Sequence, residues 1–442
     1  MSETTTEAST SGTLPPDGAP APAAPPEEVG QGTGWWRLAV VVAATAAVGL
    51  WASLSTLAVI LAIVFMIFMH ELGHYLTAKA AGMKVTEFFI GFGPKLWSFR
   101  RGETEYGLKA IPAGAYVRII GMSNLEEVDP SEEHRTYRQQ PYWRRMSVAV
   151  AGSTMHFLMA LVLIFIVLVG FGIPDEDSDR WTVGTLYETS PAAEAGLEPG
   201  DRLVAVDGRR FENFTALSRY LRERPGEEVS LGVERGGEEL ALSADLAREN
   251  PDGEEVGFLG ITPSLDRITR GPVSGAVESV RFTGETMWLS VKGLGAFFSP
   301  SGISGYFDTL TSAGATDGGG DGGGAGASAR ASDGAGDEGR VISIYGAVRM
   351  ASAAAETSIG DVLGLLFVIN VFIGVFNLVP LLPLDGGHVI IATYERIRSR
   401  KGRPYHADVA KLLPLTYAVV VVLILVGVTS LYLDITDPVS LR

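Results

Sequence analysis

The chain has 442 residues and a formal net charge of −16 at pH 7, and a chain of this length can form roughly two or three domains. The negative charge argues against a general nucleic-acid binder, because affinity for phosphates needs clustered Lys and Arg. The sequence contains no cysteine. It therefore excludes a disulfide framework and a thiolate metal site, and any metal must be bound by histidines and carboxylates.

Long apolar runs predict a protein that crosses a lipid bilayer several times. Uncharged runs that approach or exceed the roughly 20 residues of a spanning helix lie near 37–69, 146–173, 362–384 and 412–433. The predicted fold class is a polytopic α-helical membrane protein with four core transmembrane helices. Residues 1–34 are rich in Pro, Ala, Thr and Glu and are predicted to form a disordered tail.

The first membrane region, 35–80, is too long for one simple span, because thirty-odd helical residues reach about 50 Å. Two interpretations stay open. One is an extra N-terminal helix at 37–51, followed by a turn at Ser53–Ser55 and by the helix that carries His70. The other is a single tilted helix that begins outside the membrane.

Basic residues predict the orientation of the chain in the plasma membrane. Lys and Arg are frequent between 79 and 145 and again between 396 and 411, and the positive-inside rule puts both stretches in the cytoplasm. The long stretch from about 174 to 360 and the C-terminus then lie on the opposite side.

Residues 81–145 are predicted to form a cytoplasmic or re-entrant β-hairpin region. Apolar and small residues alternate there, and Gly91, Gly93 and Gly114 are positions where another backbone can approach closely. We expect one edge of this hairpin to be open to β-strand addition by an extended peptide. The next segment, 146–173, is predicted to be a transmembrane helix.

Residues 181–265 are predicted to form a small inserted α+β domain on the extracytoplasmic side. The stretch from Ser190 to Gly208 predicts a short helix, a turn at Pro199-Gly200-Asp201 and an alternating strand. This stretch resembles the core of a PDZ domain, and the alternative is a generic β-turn-β unit.

Four further segments complete the predicted organisation. Residues 266–312 are expected to form an extracytoplasmic linker with amphipathic character. Residues 313–340, rich in Gly, Ala, Ser and Asp, are expected to form a flexible linker. Residues 341–388 predict a transmembrane helix with the motif Pro-Leu-Asp-Gly-Gly at its end, and 411–433 predict the C-terminal transmembrane helix.

The motif His70-Glu-Leu-Gly-His74 predicts a metal site at the end of an apolar helix. Histidines at i and i+4 share one helix face, so both imidazoles can reach one ion. Glu71 is next in the turn, where its carboxylate can act on a water. A polar cluster within bilayer depth is unfavourable unless it has a partner, and this favours metal binding over polar side chains that snorkel at a helix end.

A zinc enzyme needs a third protein ligand and one open position, and Asp385 is the candidate. By the predicted topology, the helix before Asp385 and the helix that carries His70 both end near the cytoplasmic face. The carboxylate and the two histidines should therefore lie at one depth. The alternative is that Asp385 caps a turn before Gly386-Gly387.

On these motifs the chain resembles the site-2 protease family of intramembrane metalloproteases, particularly its actinobacterial branch. The resemblance covers about residues 55 to 432 and includes the His70–His74 motif, segments 89–98, 101–107 and 377–387, and the PDZ-like insert. It implies that His70, His74 and Asp385 bind Zn²⁺ and that Glu71 activates water. It also implies substrates that are single-span membrane proteins, often anti-sigma factors already trimmed by another protease.

Further residues are candidates around the site. His156 stands where many members of the family have Asn, and it is expected to support the site by packing and hydrogen bonding or to assist the metal directly. His388 follows the metal motif closely and is expected to support the ligands from behind. Asn377, Gly91 and Gly93 are predicted to contact the substrate backbone.

A function of another class is the alternative to proteolysis. The chain would then be a non-proteolytic membrane scaffold with a structural zinc and a peptide-binding PDZ domain. Glu71 argues against this alternative, because a structural zinc site needs no base.

Overall fold

The computed structural model describes residues 53–122, 126–175, 181–187, 189–251, 254–315, 343–399 and 405–436, with a few residues between 36 and 47. The predicted tail at 1–34 and most of the predicted extra helix at 37–51 lie outside the described residues. So does nearly all of the predicted linker at 313–340.

The described residues form helices and strands in the following order. The α-helices are α1 (Leu54–Ala80), α2 (Tyr142–Ala149), α3 (Ala151–Ile166), α4 (Pro191–Glu194), α5 (Phe214–Arg222), α6 (Pro272–Phe297), α7 (Pro300–Ala315), α8 (Ile344–Thr357), α9 (Ile359–Asn377), α10 (Asp385–Arg398) and α11 (Leu413–Thr436). The strands are β1 (Val85–Arg101), β2 (Thr104–Ile119), β3 (Ile173–Pro174), β4 (Trp181–Leu186), β5 (Arg202–Val206), β6 (Glu228–Arg235), β7 (Glu238–Asp245), β8 (Ile261–Leu265) and β9 (Arg267–Ile268).

Among the described residues, four helical segments are long and apolar enough to cross a membrane. They are Leu54–Ala80, Ala151–Phe171, Ile359–Asn377 and Val409–Thr436. α1 and α9 both pack against α3, α8 packs against α1 and α9, and α11 packs against α8. The predicted polytopic α-helical fold class with four core transmembrane helices is confirmed.

Two predicted spans are interrupted in the structure. In 146–173 the helix breaks at Val150 between α2 and α3, and 341–388 contains α8, α9 and the start of α10. Ser358 separates α8 from α9 with an extended backbone and caps α9, since its hydroxyl accepts from the Gly360 N–H. Pro380 and Pro383 then keep the chain between α9 and α10 from continuing as a helix.

The segment predicted as an extracytoplasmic linker, 266–312, contains two helices, and the first of them packs along the membrane helices. α6 contacts α3 and α9 through the small buried residues Gly275, Ser279 and Thr283. Small residues spaced by four allow helices to approach closely. The four-residue spacing of these small residues in the sequence indicates that α6 packs against other helices.

β1 and β2 are bent, so the hairpin forms more than a simple two-stranded ribbon. Residues 85–90 have partners at 115–119 on one side and at 105–108 on the other, while 97–101 pair with 104–108. The segments 115–119 and 97–101 therefore lie at the two sides of the sheet. Both strands also pack against α1.

An ion-pair network ties the end of α1 to the tip of this hairpin. Glu103 accepts from Lys79 of α1 and from Arg135, with Arg135 Nη2 at 2.9 Å from Glu103 Oε1. The Arg135 guanidinium, together with Lys79, holds the pKa of Glu103 at about 2. The hairpin is thereby fastened to the helix that carries the candidate metal motif.

The inserted domain has its own hydrophobic core. Its sheets are β4–β8 and β5–β6–β7, and α5 covers them. Buried side chains from both sheets and from α5, including Trp181, Leu217 and Leu231, form one cluster. The domain can therefore fold as a unit between α3 and α6.

A buried ion pair joins α2 to α10 behind the candidate metal site. Arg145 Nη2 lies 2.6 Å from Glu395 Oε2, and both side chains are at most 10% exposed. Glu395 Oε1 also accepts from the Ala407 N–H at 2.6 Å. The pair therefore fixes α10, whose first residue is Asp385, relative to α2.

We expect Glu395→Gln to reduce the free energy of unfolding by about 3–5 kcal/mol, because it leaves the Arg145 charge buried without a counter-ion. Thermal unfolding in detergent micelles measures this loss. The double variant Arg145→Met/Glu395→Leu should recover most of the stability. Glu285→Gln is the control, since the pair Arg281–Glu285 is exposed and contributes at most about 1 kcal/mol. Equal losses for Glu395→Gln and Glu285→Gln would contradict the structural role of the buried pair.

Candidate metal centre

α1 brings the two motif histidines together within its last three turns. His70 and His74 lie on one helix face with ring centroids 4.8 Å apart, and their Nε2 atoms are 3.2 Å apart. His74 Nδ1 donates to the Val148 carbonyl at 2.8 Å. This bond leaves the lone pair of the neutral ring on Nε2, directed towards His70, as a metal ligand requires.

A tight turn after α9 brings Asp385 to the same point. A β-carbon at Gly386 would collide with the carbonyl oxygens of Leu378 and Val379, and one at Gly387 would lie 2.7 Å from the Leu382 nitrogen. Only glycines allow the turn to pack this closely. Asp385, the first residue of α10, then lies with Oδ2 3.5 Å from His70 Nε2 and 3.3 Å from His74 Nε2.

The three donor atoms fit a tetrahedral zinc ion. Bonds of about 2.0–2.2 Å in tetrahedral geometry separate neighbouring donors by about 3.3–3.6 Å, and the three separations here are 3.2, 3.3 and 3.5 Å. Asp385 Oδ2 is buried and has no hydrogen-bond partner among the described residues. The N-cap residue of α10 is Leu384, and no side-chain capping hydrogen bond forms there, so the alternative of a turn cap does not explain the Asp385 carboxylate.

The site depends on a close contact between α1 and α3. A β-carbon at Gly73 would lie 2.6 Å from Met155 Cγ and 2.8 Å from the Ala151 oxygen. One turn earlier on α1, the His70 ring lies directly over Gly152, where a β-carbon would be 2.6 Å from both ring nitrogens. The sequence alone does not single out either glycine, although Gly73 lies inside the motif His70–His74 and Gly152 lies one helical turn before His156.

The three atoms His70 Nε2, His74 Nε2 and Asp385 Oδ2 are called the donor triangle below. Glu71 lies beside this triangle and beside the edge of the hairpin. Its carboxylate is close enough to His74 and Asp385 to interact with both electrostatically, and the backbone N–H of Val117 faces it. Val117 belongs to the segment 115–119, which pairs with β1 on one side. The hairpin edge and the predicted base are therefore neighbours.

His156 is also beside the site, on the α3 face that carries Gly152. Its ring centroid is 5.1 Å from that of His70, and its Nδ1 bonds to Asn370 Oδ1 of α9 at 2.9 Å. Its nitrogens are not part of the group of three converging donors. Asn370 was missed from the sequence, although an amide within an apolar run is a recognisable signal.

The other predicted residues are not part of the group of three converging donors. His388 is on the next turn of α10 with its ring 6.2 Å from that of Tyr137, and Asn377 ends α9 with a half-buried side chain. Gly91 and Gly93 adopt positive φ angles of 88° and 83° where β1 bends. A β-carbon at Gly91 would lie 2.8 Å from the Ile111 oxygen, so this glycine accommodates the bend of the hairpin itself.

Comparisons with known proteins show the family of the chain. The family model described as Peptidase family M50 matches residues 58–316 and 335–425. Zinc metalloprotease Rip1 of Mycobacterium tuberculosis is 32% identical over 415 residues, which cover 86% of this chain and 97% of that protein. Zinc metalloprotease Rip1 of Mycolicibacterium smegmatis is 29% identical over 417 residues, with the same coverage of both chains.

Two solved PDZ domains are similar to about a fifth of the chain. The PDZ domain of a SdrC-like protein from Listeria monocytogenes is 23% identical, and the match covers 19% of this chain and 87% of that domain at a TM-score of 0.18. The corresponding domain from Listeria innocua is 22% identical, with 21% and 98% covered at the same TM-score.

The family model covers well over half of the chain, and the mycobacterial relatives match it along nearly their whole length. These matches confirm the predictions of a multi-pass membrane protein, a metallopeptidase and a zinc cofactor. The chain belongs to peptidase family M50, a family of zinc metalloproteases.

Proposed function

We propose that the protein cleaves peptide bonds within the transmembrane segments of single-span membrane proteins, with zinc bound by His70, His74 and Asp385 and with Glu71 as the general base. The observation that carries the proposal is the zinc-sized donor triangle at bilayer depth. His70 lies about 24 Å along α1 from its start, well within a helix long and apolar enough to span a membrane.

The orientation proposed is an active site towards the cytoplasm and a PDZ-like domain outside the cell membrane. Basic residues lie on the elements that flank the donor triangle. Lys79 is in the last turn of α1, Arg144 is in α2 just before α3, and Arg396 is in the last turn of α10. The positive-inside rule favours the cytoplasmic side for these residues.

The residues around the site divide the chemistry of hydrolysis between them. When bound, zinc acts as a Lewis acid on the scissile carbonyl and lowers the pKa of a water molecule towards about 7. Glu71 accepts the proton of the attacking water at a carboxylate oxygen and returns it to the nitrogen of the leaving amine. His74 is held for its ligand role by the Val148 carbonyl.

A substrate helix must unwind before its backbone can reach these groups, because its peptide bonds are protected by lipid and by their own hydrogen bonds. The segment 115–119 is the proposed docking edge, since the Val117 N–H faces Glu71. An extended substrate added to this edge would gain main-chain hydrogen bonds in place of those lost from its helix. Asn377, at the end of α9, is the proposed second contact with the substrate backbone.

Anti-sigma factors are the substrate class proposed. This choice rests on the resemblance to site-2 proteases of the actinobacterial type. It is supported by the similarity to mycobacterial zinc metalloproteases along nearly their full length.

We expect one zinc per chain, lost on chelation and strongly reduced in His70→Ala, His74→Ala and Asp385→Ala, because each variant removes one donor of the triangle. Metal analysis of the purified protein measures the content. His134→Ala is the control, since His134 lies in the short 3₁₀ turn Glu133–Arg135 outside the spans. Full zinc in Asp385→Ala would contradict the third-ligand assignment.

Glu71→Gln is expected to keep zinc and the fold but to abolish cleavage, because the amide has nearly the same shape and cannot accept the proton. Cleavage of a single-span model substrate in liposomes, with zinc content determined on the same preparation, tests this. Undiminished turnover in Glu71→Gln would rule out the proposed base.

Val117→Pro should reduce cleavage of a helical substrate about 2- to 10-fold with unchanged zinc content. It removes a main-chain donor from the proposed docking edge, and one such hydrogen bond contributes about 0.5–1.5 kcal/mol. Val117→Ala is the matched control, because it keeps the N–H and should cleave normally. The loss of cleavage rate should be smaller for a substrate with helix-breaking residues at the scissile bond. Equal rates for Val117→Pro and Val117→Ala would contradict a role for this edge.

A further inference from the structure

The two histidines of the donor triangle differ in how their rings are held. His74 donates from Nδ1 to the Val148 carbonyl. His70 Nδ1 is buried and makes no hydrogen bond of good geometry among the described residues, although the Gly152 backbone faces the ring. Metal-binding histidines nearly always fix their ring orientation through the second nitrogen. Packing must therefore contribute to holding the His70 ring in its plane.

α3 supplies that contact with two residues one helical turn apart. Gly152 and His156 share a helix face, and His70 packs against both. The ring lies directly over Gly152, where no side chain could be accommodated. The His156 ring is 5.1 Å away between centroids, with its plane tilted by 46°. The His70 ring is thus confined between the α3 backbone and a second imidazole.

His156 is itself held in one orientation by Asn370. Asn370 Nδ2 donates to the Leu366 carbonyl at 2.9 Å, and a carbonyl oxygen can only accept. Asn370 Oδ1 must then be the acceptor in the 2.9 Å bond to His156 Nδ1, so His156 carries a proton on Nδ1. Both side chains are at most 1% exposed, so water does not compete for this bond.

From these contacts we infer that His156, locked by Asn370, is a positioning residue that holds the His70 imidazole in the orientation that zinc binding requires. The inference deepens the proposed function and rests on the ligand role of His70. His156 itself binds neither zinc nor substrate in this role. It replaces the hydrogen-bonded partner that His74 has in the Val148 carbonyl.

The test compares metal binding by full-length variants in detergent micelles. Asn370→Leu removes the acceptor at similar side-chain volume, and Asn370→Asp keeps an acceptor oxygen. His156→Gln keeps a donor near Asn370 but removes the ring that confines His70. Thr283→Val is the matched control, because Thr283 is buried between the same helices and donates only within α6. Zinc affinity is measured by competition with a chelator, and ligand geometry by the visible spectrum of the cobalt-substituted protein.

We expect zinc to bind about 10- to 100-fold more weakly in Asn370→Leu and His156→Gln, the usual effect of losing a group that supports a metal ligand. Their cobalt spectra should also change. Asn370→Asp and Thr283→Val should remain close to wild type in both measurements, and recovery by Asn370→Asp would separate the hydrogen bond from simple packing.

Wild-type zinc affinity and cobalt spectra in both Asn370→Leu and His156→Gln would overturn the inference. So would an equal loss in Asn370→Leu, Asn370→Asp and Thr283→Val, which would indicate a general loss of stability. His70→Ala, measured in parallel, tests the ligand set separately. Retention of zinc in that variant would overturn the proposed ligands themselves, whereas its loss supports them whatever the Asn370 variants do.

Discussion

The approach of α1 to α3 at Gly73 and Gly152 is the constraint on which the metal centre depends. At both positions a β-carbon would lie within 3 Å of atoms on the facing helix. Because these two glycines have no β-carbon, α1, which carries the two motif histidines, can approach α3 this closely. In lipid this contact gains little from the hydrophobic effect, because the tails are as apolar as the side chains, and close backbone packing must hold it.

The polar groups that this contact brings into the membrane core are paired in a consistent way. His74 bonds to a backbone carbonyl, His156 bonds to Asn370, and Asp385 faces both motif histidines. Two of these contacts involve residues at helix ends, Val148 in the last turn of α2 and Asp385 at the start of α10. Val148 is in the last turn of α2, where carbonyls lack intrahelical partners, so the interruption at Val150 supplies the acceptor that orients His74. The break in the predicted span 146–173 is therefore part of the metal site.

The three metal donors can be predicted from the sequence, but the groups that orient them cannot. His70, His74 and Asp385 are recognisable because motif spacing and position within apolar runs can be read directly from the sequence. The Val148 carbonyl has no side-chain signature, and the partner of His156 lies 214 residues away. The long helix α6 falls within the segment predicted as a linker, and Glu278, Arg281, Glu285 and Lys292 make it less apolar than the spanning helices. Its small-residue face, which allows it to pack on α3 and α9, was a weaker signal than its charges.

Helix ends also explain why a hydrolytic site can exist at this depth. Irregular backbone within a membrane is tolerated only where protein buries it or where it lines a cavity that admits water. The start of α3, the end of α9 and the start of α10 all lie at the donor triangle, and the bent hairpin packs against α1 beside them. Hydrolysis needs water at the scissile bond, and an unwound substrate needs partners for its freed amides. The interruptions in the helices leave backbone groups without helical partners beside the three converging donors, where the proposed substrate and its water would have to enter.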